Sequence, residues 1–314
     1  MNKVIAFVSR YNGEETQNWL DALNKAFNGQ KIMAISAMSD MQKHDCSVAI
    51  VANPDPSELA LLPNLQLIHS LWAGVERLVS ELPLNCAPII RLIDPELTRT
   101  MAEAVLAWSY YIQRDMPAYR ISQMAKQWQP REYRPPHNMT VGIVGLGLLG
   151  QASAKFLQHA GFNVIGWSRS PKAIDNLESL TGDDGLTTLL QTSDIVVLLV
   201  PLTNETTGLM NDKRFSQMKK GAALINFARG PVVEAQAMLK SIEQGQLGHA
   251  ILDVFNVEPL PPTCPYWHNP AITILPHIAA QTPKETAAKI VAHNIATWQK
   301  TGDLPPFVNR QLGY

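Results

Sequence analysis

Cysteine is scarce, with three in 314 residues. Cys46, Cys86 and Cys264 lie far apart and form no C-x-x-C pair, which argues against a disulfide framework and against a cysteine-based zinc centre. A reducing, cytoplasmic compartment is expected. An excess of charge is missing too: Lys and Arg number 26 against 27 for Asp and Glu, a formal net charge of -1. Such a chain carries no electrostatic footprint for nucleic acid or an anionic membrane surface, and neither is expected as a partner. Long apolar runs are also lacking. The longest, Ile195 to Val200, is well short of the roughly 20 residues a membrane span needs, and Val4 to Val8 behind Met1-Asn2-Lys3 is too short for a signal-peptide core. No low-complexity tract, solenoid-length repeat or G-x-S-x-G elbow occurs. His44, His69, His137, His159, His249, His268 and His293 are scattered without ligand spacing, so no metal site is expected.

What is present is a folded composition, 46% apolar and 17% charged, in a chain long enough for two domains at about 150 residues each. The first hundred residues alternate apolar runs (Val4 to Val8, Val48 to Val51, Leu65 to His69, Ile89 to Ile93) with polar helical stretches, a βα pattern. Thr100-Met101-Ala102-Glu103 has the form of a capping box, and Met101, Ala104, Val105, Trp108 and Ile112 follow at helical spacing. After a segment with Pro130, Pro135 and Pro136, a second series begins, with strands expected at 140–144, 163–167, 195–200, 223–227, 250–254 and 272–275. Near-continuous apolar runs suit a parallel sheet covered on both faces, and six of them suggest a doubly wound one. Thr282-Pro283-Lys284-Glu285 reads as another capping box, opening a last helix that should stop near Gly302.

Val141-Gly142-Ile143-Val144 runs into Gly145-Leu146-Gly147-Leu148-Leu149-Gly150 and then a helical pattern. Strand, glycine turn and helix are the context that a G-x-G-x-x-G dinucleotide fingerprint demands. Gly145 would make the tight turn, Gly147 would let backbone approach the pyrophosphate, and Gly150 would let helix and strand pack closely, with the helix N-terminus facing phosphate. The next strand ends at Trp167-Ser168-Arg169-Ser170, where an NAD enzyme usually has an acid for the ribose 2′-hydroxyl. Two hydroxyls flank Arg169 instead, with Lys172 behind. A guanidinium can pair bidentately with the extra phosphate of NADP, so NADP(H) is the expected cofactor, with NAD(H) possible. An exposed polar turn without ligand is the plain alternative.

Three further strands end in functional-looking groups: Asn226-Phe227-Ala228-Arg229-Gly230, Leu252-Asp253-Val254-Phe255-Asn256-Val257-Glu258-Pro259, and Leu275-Pro276-His277-Ile278-Ala279-Ala280. With these residues in view the chain resembles the D-isomer-specific 2-hydroxyacid dehydrogenases, and within them the branch that reduces glyoxylate and hydroxypyruvate. The likeness covers nearly the whole chain, is strongest over 139–280, and continues into Gly313-Tyr314. It implies that Arg229 binds the substrate carboxylate and polarises the keto oxygen. It implies that His277 is the general acid, and that Glu258 holds the imidazole and favours its charged form. It further implies cofactor contacts from Thr98, Leu148, Leu149, Val200, Pro201, Thr206, Phe227, Ala228, Asp253 and Ala279, as well as from Arg229 and His277. Glu103 is expected to do no more than cap its helix.

His69-Ser70-Leu71-Trp72-Ala73-Gly74-Val75-Glu76 resembles the family's A-G-V-D substrate turn, where small residues let backbone N–H groups reach a carboxylate. Trp72 stands where relatives commonly carry a small residue, and Glu76 replaces the usual Asp. The indole either narrows the pocket toward two- and three-carbon acids, stacks on a larger substrate, or packs between domains. The fold expected is α/β with two Rossmann-like domains, doubly wound parallel sheets and an active site in the interdomain cleft. A substrate domain of residues 1–99 plus 285–314 would hold Trp72, Ala73 and Gly74, and a dinucleotide domain would span 100–284. The resemblance implies NADPH-dependent reduction of a small 2-keto acid, glyoxylate or hydroxypyruvate, to the D-2-hydroxy acid by a homodimer. A dehydrogenase for a different or larger 2-hydroxy acid and a non-catalytic NADP(H)-sensing binding protein on the same fold are the alternatives.

Overall fold

The computed structural model describes residues 4–11 and 13–310, so the Gly313-Tyr314 part of the resemblance lies outside the described residues. The chain divides into two compact units, Met1–Glu96 with Thr282–Tyr314, and Leu97–Gln281.

The first unit holds five parallel strands, β1 (Ile5–Ser9), β2 (Ile32–Ala34), β3 (Val48–Ala52), β4 (Leu67–Ser70) and β5 (Ile89–Ile90), in the order β2-β1-β3-β4-β5. Side chains alternate across the sheet. Ile5, Phe7, Val48, Ile50 and Leu67 pack against Trp19 and Leu23 of the helix Glu14–Ala26 and against Ala287, Val291 and Ile295 of the helix Lys284–Thr301. Ala6, Val8, Ala49, Val51 and Ile68 face the other way, onto Leu78 of the helix Glu76–Glu81. Burial on both faces, at about 1.5–3 kcal/mol per large aliphatic side chain, is why these strands read as unbroken apolar runs. Sequence periodicity missed β2, a three-residue edge strand too short to show a pattern.

The second unit holds seven parallel strands, β6 (Thr140–Val144), β7 (Asn163–Trp167), β8 (Glu178–Leu180), β9 (Ile195–Leu198), β10 (Ala222–Asn226), β11 (Leu247–Leu252) and β12 (Ile272–Ile274), in the order β12-β11-β10-β9-β6-β7-β8. Counted within the unit this is the Rossmann order with a seventh strand added, and its winding reverses between β6 and β9. Val144, Val196, Leu198, Leu224 and Leu252 line one face, and Val141, Ile143, Ile195, Val197, Ile225 and Ile251 line the other. The strand beyond the six expected is β8, whose Glu-Ser-Leu sequence at the sheet edge has no apolar run to announce it.

Two helix starts differ from expectation. The helix after β5 spans Pro95–Gln113, and the Asp94 carboxylate accepts the Glu96 N–H at 2.8 Å. An acceptor followed by a proline that needs no N–H partner starts a helix better than Thr100 does. The supposed capping box therefore lies inside the helix, where Glu103 pairs with Arg99 one turn earlier. The last helix begins at Lys284 with Pro283 as its N-cap and no side-chain cap. It stops at Gly302, whose φ of 78° lets its N–H reach the Trp298 carbonyl. Among the described residues no helix is long and apolar enough to cross a membrane, and no cluster of His, Cys, Asp or Glu is placed to hold a metal ion.

Candidate active site

Every candidate group of the second unit stands at the carboxyl end of a strand or in the loop that follows, the edge where open α/β sheets bind ligands. At the β6 end the glycine turn closes as its spacing demands. Gly145 has a φ of +115°, and a Cβ there would lie 2.7 Å from the Leu199 backbone. A Cβ on Gly150 would lie 1.9 Å from the Gly145 carbonyl oxygen, so only glycine lets the helix Leu148–His159 sit this close to its strand. Beside Gly147 there is nothing within 4 Å. The helix opens on Gly147 with no side-chain cap, leaving its first N–H groups for an anion. Leu148 is exposed and Leu149 half-buried. These features fit a dinucleotide pyrophosphate.

At the β7 end, Ser168 is buried and its hydroxyl donates to the Ser170 carbonyl at 2.7 Å. The Trp167 indole N–H donates to the Gly182 carbonyl at 2.8 Å. These bonds shape a turn from which Arg169 projects, its guanidinium 3.7 Å from the Glu205 carboxylate with both side chains exposed. Such a pair between exposed groups is worth little. Lys172 is exposed nearby in sequence, its N–H on the Ser179 hydroxyl. After β9, Val200 is buried, and the Thr206 hydroxyl donates to the Pro201 carbonyl at 2.6 Å and accepts the Thr203 N–H at 2.8 Å. Thr98 is half-buried on the helix Pro95–Gln113.

After β10, the buried Asn226 side chain accepts the Ala228 N–H at 3.1 Å and donates to the Arg229 carbonyl at 3.0 Å. This turn, with Phe227 and Ala228 buried in it, aims Arg229, whose guanidinium also donates to the Ala228 carbonyl at 2.6 Å. A Cβ on Gly230 would lie 2.2 Å from the Phe255 carbonyl carbon, so the segment after β11 rests directly on the arginine turn. Sequence reasoning assigned neither residue. An asparagine two residues ahead of an amide, which favours a side-chain-closed turn, was the available signal for Asn226.

The Phe255 N–H donates to Glu258 Oε1 at 2.8 Å, and Glu258 Oε2 accepts from His277 Nδ1 at 2.8 Å. One carboxylate therefore ties the post-β11 loop to the imidazole. His277 has a φ of 55°, a left-handed backbone that non-glycine residues adopt only when held. Asp253 does the holding: buried at the β11 end, it accepts the Ile278 N–H at 2.7 Å and the Ala279 N–H at 3.0 Å. The resemblance gave Asp253 to the cofactor, and the clamp on the histidine loop is a job the sequence did not reveal. The His277 side chain is about half exposed (53%), and its Nε2 makes no hydrogen bond among the described residues. A guanidinium, an imidazole with one open nitrogen and a carboxylate orienting that imidazole make an arrangement able to polarise a carbonyl and pass it a proton.

In the first unit, taken by itself, Trp72 is half-buried just past β4, its N–H on the Ser70 hydroxyl at 3.0 Å and its carbonyl accepting the Leu92 N–H at 3.0 Å. The Ala73 and Gly74 N–H groups have no hydrogen-bond partner among the described residues.

Comparison with known proteins bears on this arrangement. Residues 106–279 match the family described as D-isomer specific 2-hydroxyacid dehydrogenase, NAD binding domain. The glyoxylate/hydroxypyruvate reductase A of Serratia proteamaculans is 34% identical over 99% of both chains. A D-isomer specific 2-hydroxyacid dehydrogenase from Xanthobacter autotrophicus, solved with NADPH and MES, is 35% identical and superposes over 100% of both chains with a TM-score of 0.93. The NADPH-dependent glyoxylate/hydroxypyruvate reductase of Sinorhizobium meliloti, solved with NADP and sulfate, is 30% identical over 99% of this chain and 100% of its own, with a TM-score of 0.92.

Proposed function

The chain belongs to the D-isomer specific 2-hydroxyacid dehydrogenase family, an NAD(P)-dependent group, and from that premise we propose that it reduces a small 2-keto acid, glyoxylate or hydroxypyruvate, with NADPH. The observation that carries this reading is the His277–Glu258 pair with Arg229 presented one loop away. Arg229 binds the carboxylate and polarises the keto oxygen, and in the first unit the Ala73 and Gly74 N–H groups are suited to a carboxylate oxygen. His277 gives the proton through Nε2 while Glu258 keeps the ring aimed and offsets its charge. Asp253 holds the backbone that carries the ring. A nicotinamide coenzyme, when bound, supplies the hydride.

Gly145, Gly147, Gly150 and the open helix end would hold the coenzyme pyrophosphate. Ser168, Arg169, Ser170 and Lys172 favour the 2′-phosphate of NADPH, and the related dehydrogenase solved with NADPH and reductase solved with NADP support that choice. Val200, Pro201, Thr206, Phe227, Ala228 and Ala279 shape the remaining cofactor-facing loops. The product is the D-2-hydroxy acid, and the working form is a homodimer. The test follows NADPH oxidation by the purified protein with glyoxylate and with hydroxypyruvate, with His277→Ala as control. Turnover that disappears in the variant supports the reading, and tight NADPH binding without turnover of any 2-keto acid replaces it with a nucleotide-sensing role.

A further inference from the structure

A cavity of about 380 Å³ lies wholly within the second unit, among the helix Ala235–Glu243, the carboxyl ends of β10 and β11, and the loop that runs from Val254 to Tyr266. Its size is at the lower end of the range for small-molecule pockets. None of the residues that line it belongs to the phosphate turn, the β7 turn or the set Arg229, Glu258 and His277. Val233, Met238, Leu252 and Val254 give it apolar walls, and its lining contains no Asp, Glu, Lys, Arg or His. A charged ligand would lose its hydration there with no counter-ion in return, so the cavity suits a neutral and mostly apolar occupant. One polar group is spare. The Tyr266 ring packs against that of Phe255, with centroids 6.4 Å apart, and its hydroxyl has no hydrogen-bond partner among the described residues. Burial first, and Cys264 second, push that phenol up to about 12, so it stays a proton donor at neutral pH and calls for an acceptor on the ligand.

The lining also includes the supports of both catalytic loops. Asn226 and Gly230 belong to the turn that aims Arg229. Phe255 is the residue whose N–H holds Glu258 Oε1 at 2.8 Å, while Oε2 of that carboxylate holds His277. The joint between the two has no slack, since even a Cβ on Gly230 would lie 2.2 Å from the Phe255 carbonyl carbon. Movement of Phe255 is therefore felt by the arginine turn and by the histidine brace together. We propose that this cavity is a regulatory site for a small neutral molecule with an apolar body and one hydrogen-bond acceptor, whose binding fixes Phe255 and with it the placement of Arg229 and His277. The binding itself is independent of the keto-acid reading, and only its consequence for turnover rests on that reading.

The probe is acetophenone, a neutral aromatic ring carrying one carbonyl acceptor, with benzoate as its charged counterpart of similar size. Cys264 lines the cavity, so the rate at which iodoacetamide alkylates it in the intact protein, read by mass spectrometry, reports occupancy. Cys86, half-buried in the first unit, is the internal reference. With acetophenone at ten times its dissociation constant only about a tenth of the cavities are free, and Cys264 alkylation should slow about tenfold while that of Cys86 is unaffected. Hydrogen exchange of the Phe255 amide should slow as well, and Tyr266→Phe should weaken acetophenone binding about fivefold, as one neutral hydrogen bond is lost. No protection of Cys264 at any soluble concentration, equal protection by benzoate, or protection without slower exchange at Phe255 overturns the inference. None of these readouts uses turnover, so their failure leaves the reaction class standing. A protein that passes them yet reduces no 2-keto acid loses the functional reading and keeps the cavity.

Discussion

Two histidines sit at the carboxyl edge of the two sheets, and their surroundings are opposite. His69, in β4 of the first unit, is fully buried. Its Nδ1 lies 2.9 Å from the Ser70 carbonyl and its Nε2 lies 3.0 Å from the Asn294 amide nitrogen. One nitrogen must therefore donate and the other accept, which is the neutral imidazole. Burial pulls its pKa down to about 4. His277, after β12 of the second unit, is half exposed, with one nitrogen on a carboxylate and the other open. An imidazole whose two nitrogens are spent on structure has no proton to trade, whereas one braced from a single side by a carboxylate does. Residue type is shared, and partners decide the role.

Substitution should separate the two sharply. His277→Ala is expected to lower kcat/KM for keto-acid reduction by about a thousandfold, within the range for loss of a general acid, with the melting temperature essentially unmoved. His69→Ala should do the reverse. It leaves the Asn294 amide facing a cavity and costs about 3 kcal/mol of stability, seen as a fall in Tm, while the folded fraction keeps its kcat. If His69→Ala abolished turnover in folded protein, the contrast would be broken.

Acid should expose the same difference. A histidine whose folded pKa lies below its unfolded value of 6.5 takes up its proton more readily unfolded. Its stabilising contribution is therefore complete above about 6.5 and is lost as pH falls toward 4. For His69 this amounts to about 3 kcal/mol across that window. His249 of the second unit, also pulled down to about 4, by burial first and by Arg120 second, adds a similar loss. Urea midpoints at pH 7 and pH 4.5 should differ clearly, and His69→Gln should narrow the gap. An unchanged gap would show that His69 protonates without penalty.

The smallest expected effect concerns the coenzyme. Arg169→Glu should lower the ratio of NADPH to NADH efficiency about tenfold, as one charge-assisted contact to the 2′-phosphate is replaced by repulsion. An unchanged ratio would assign the selectivity elsewhere in the β7 turn.

Much of the second unit was legible in the sequence because its signals are local. The turn Gly145 to Gly150 reads from spacing alone, since a φ of +115° and a Cβ clash of 1.9 Å are tolerable only to glycine. The strands β6, β7, β9, β10, β11 and β12 read from apolar runs because helices cover both faces. Illegible were β2 and β8, three-residue edges that pair because a neighbouring strand offers its backbone. Equally illegible was the helix start at Pro95, which competed with a plausible box at Thr100.

The sequence by itself determined the class of fold, the phosphate turn, and the order in which an arginine, a glutamate and a histidine appear at successive strand ends. Those are properties of residue type and short spacing. Only the tertiary structure decided that Asp253 clamps the backbone of residues 278 and 279, that Glu258 joins the Phe255 amide to His277, and that Gly230 must leave room for Phe255. It also decided that His69 is a buried neutral strut. Each of these depends on groups from separate segments meeting within about 3 Å, a closeness that parallel pairing and core packing create and that no local pattern along the chain encodes.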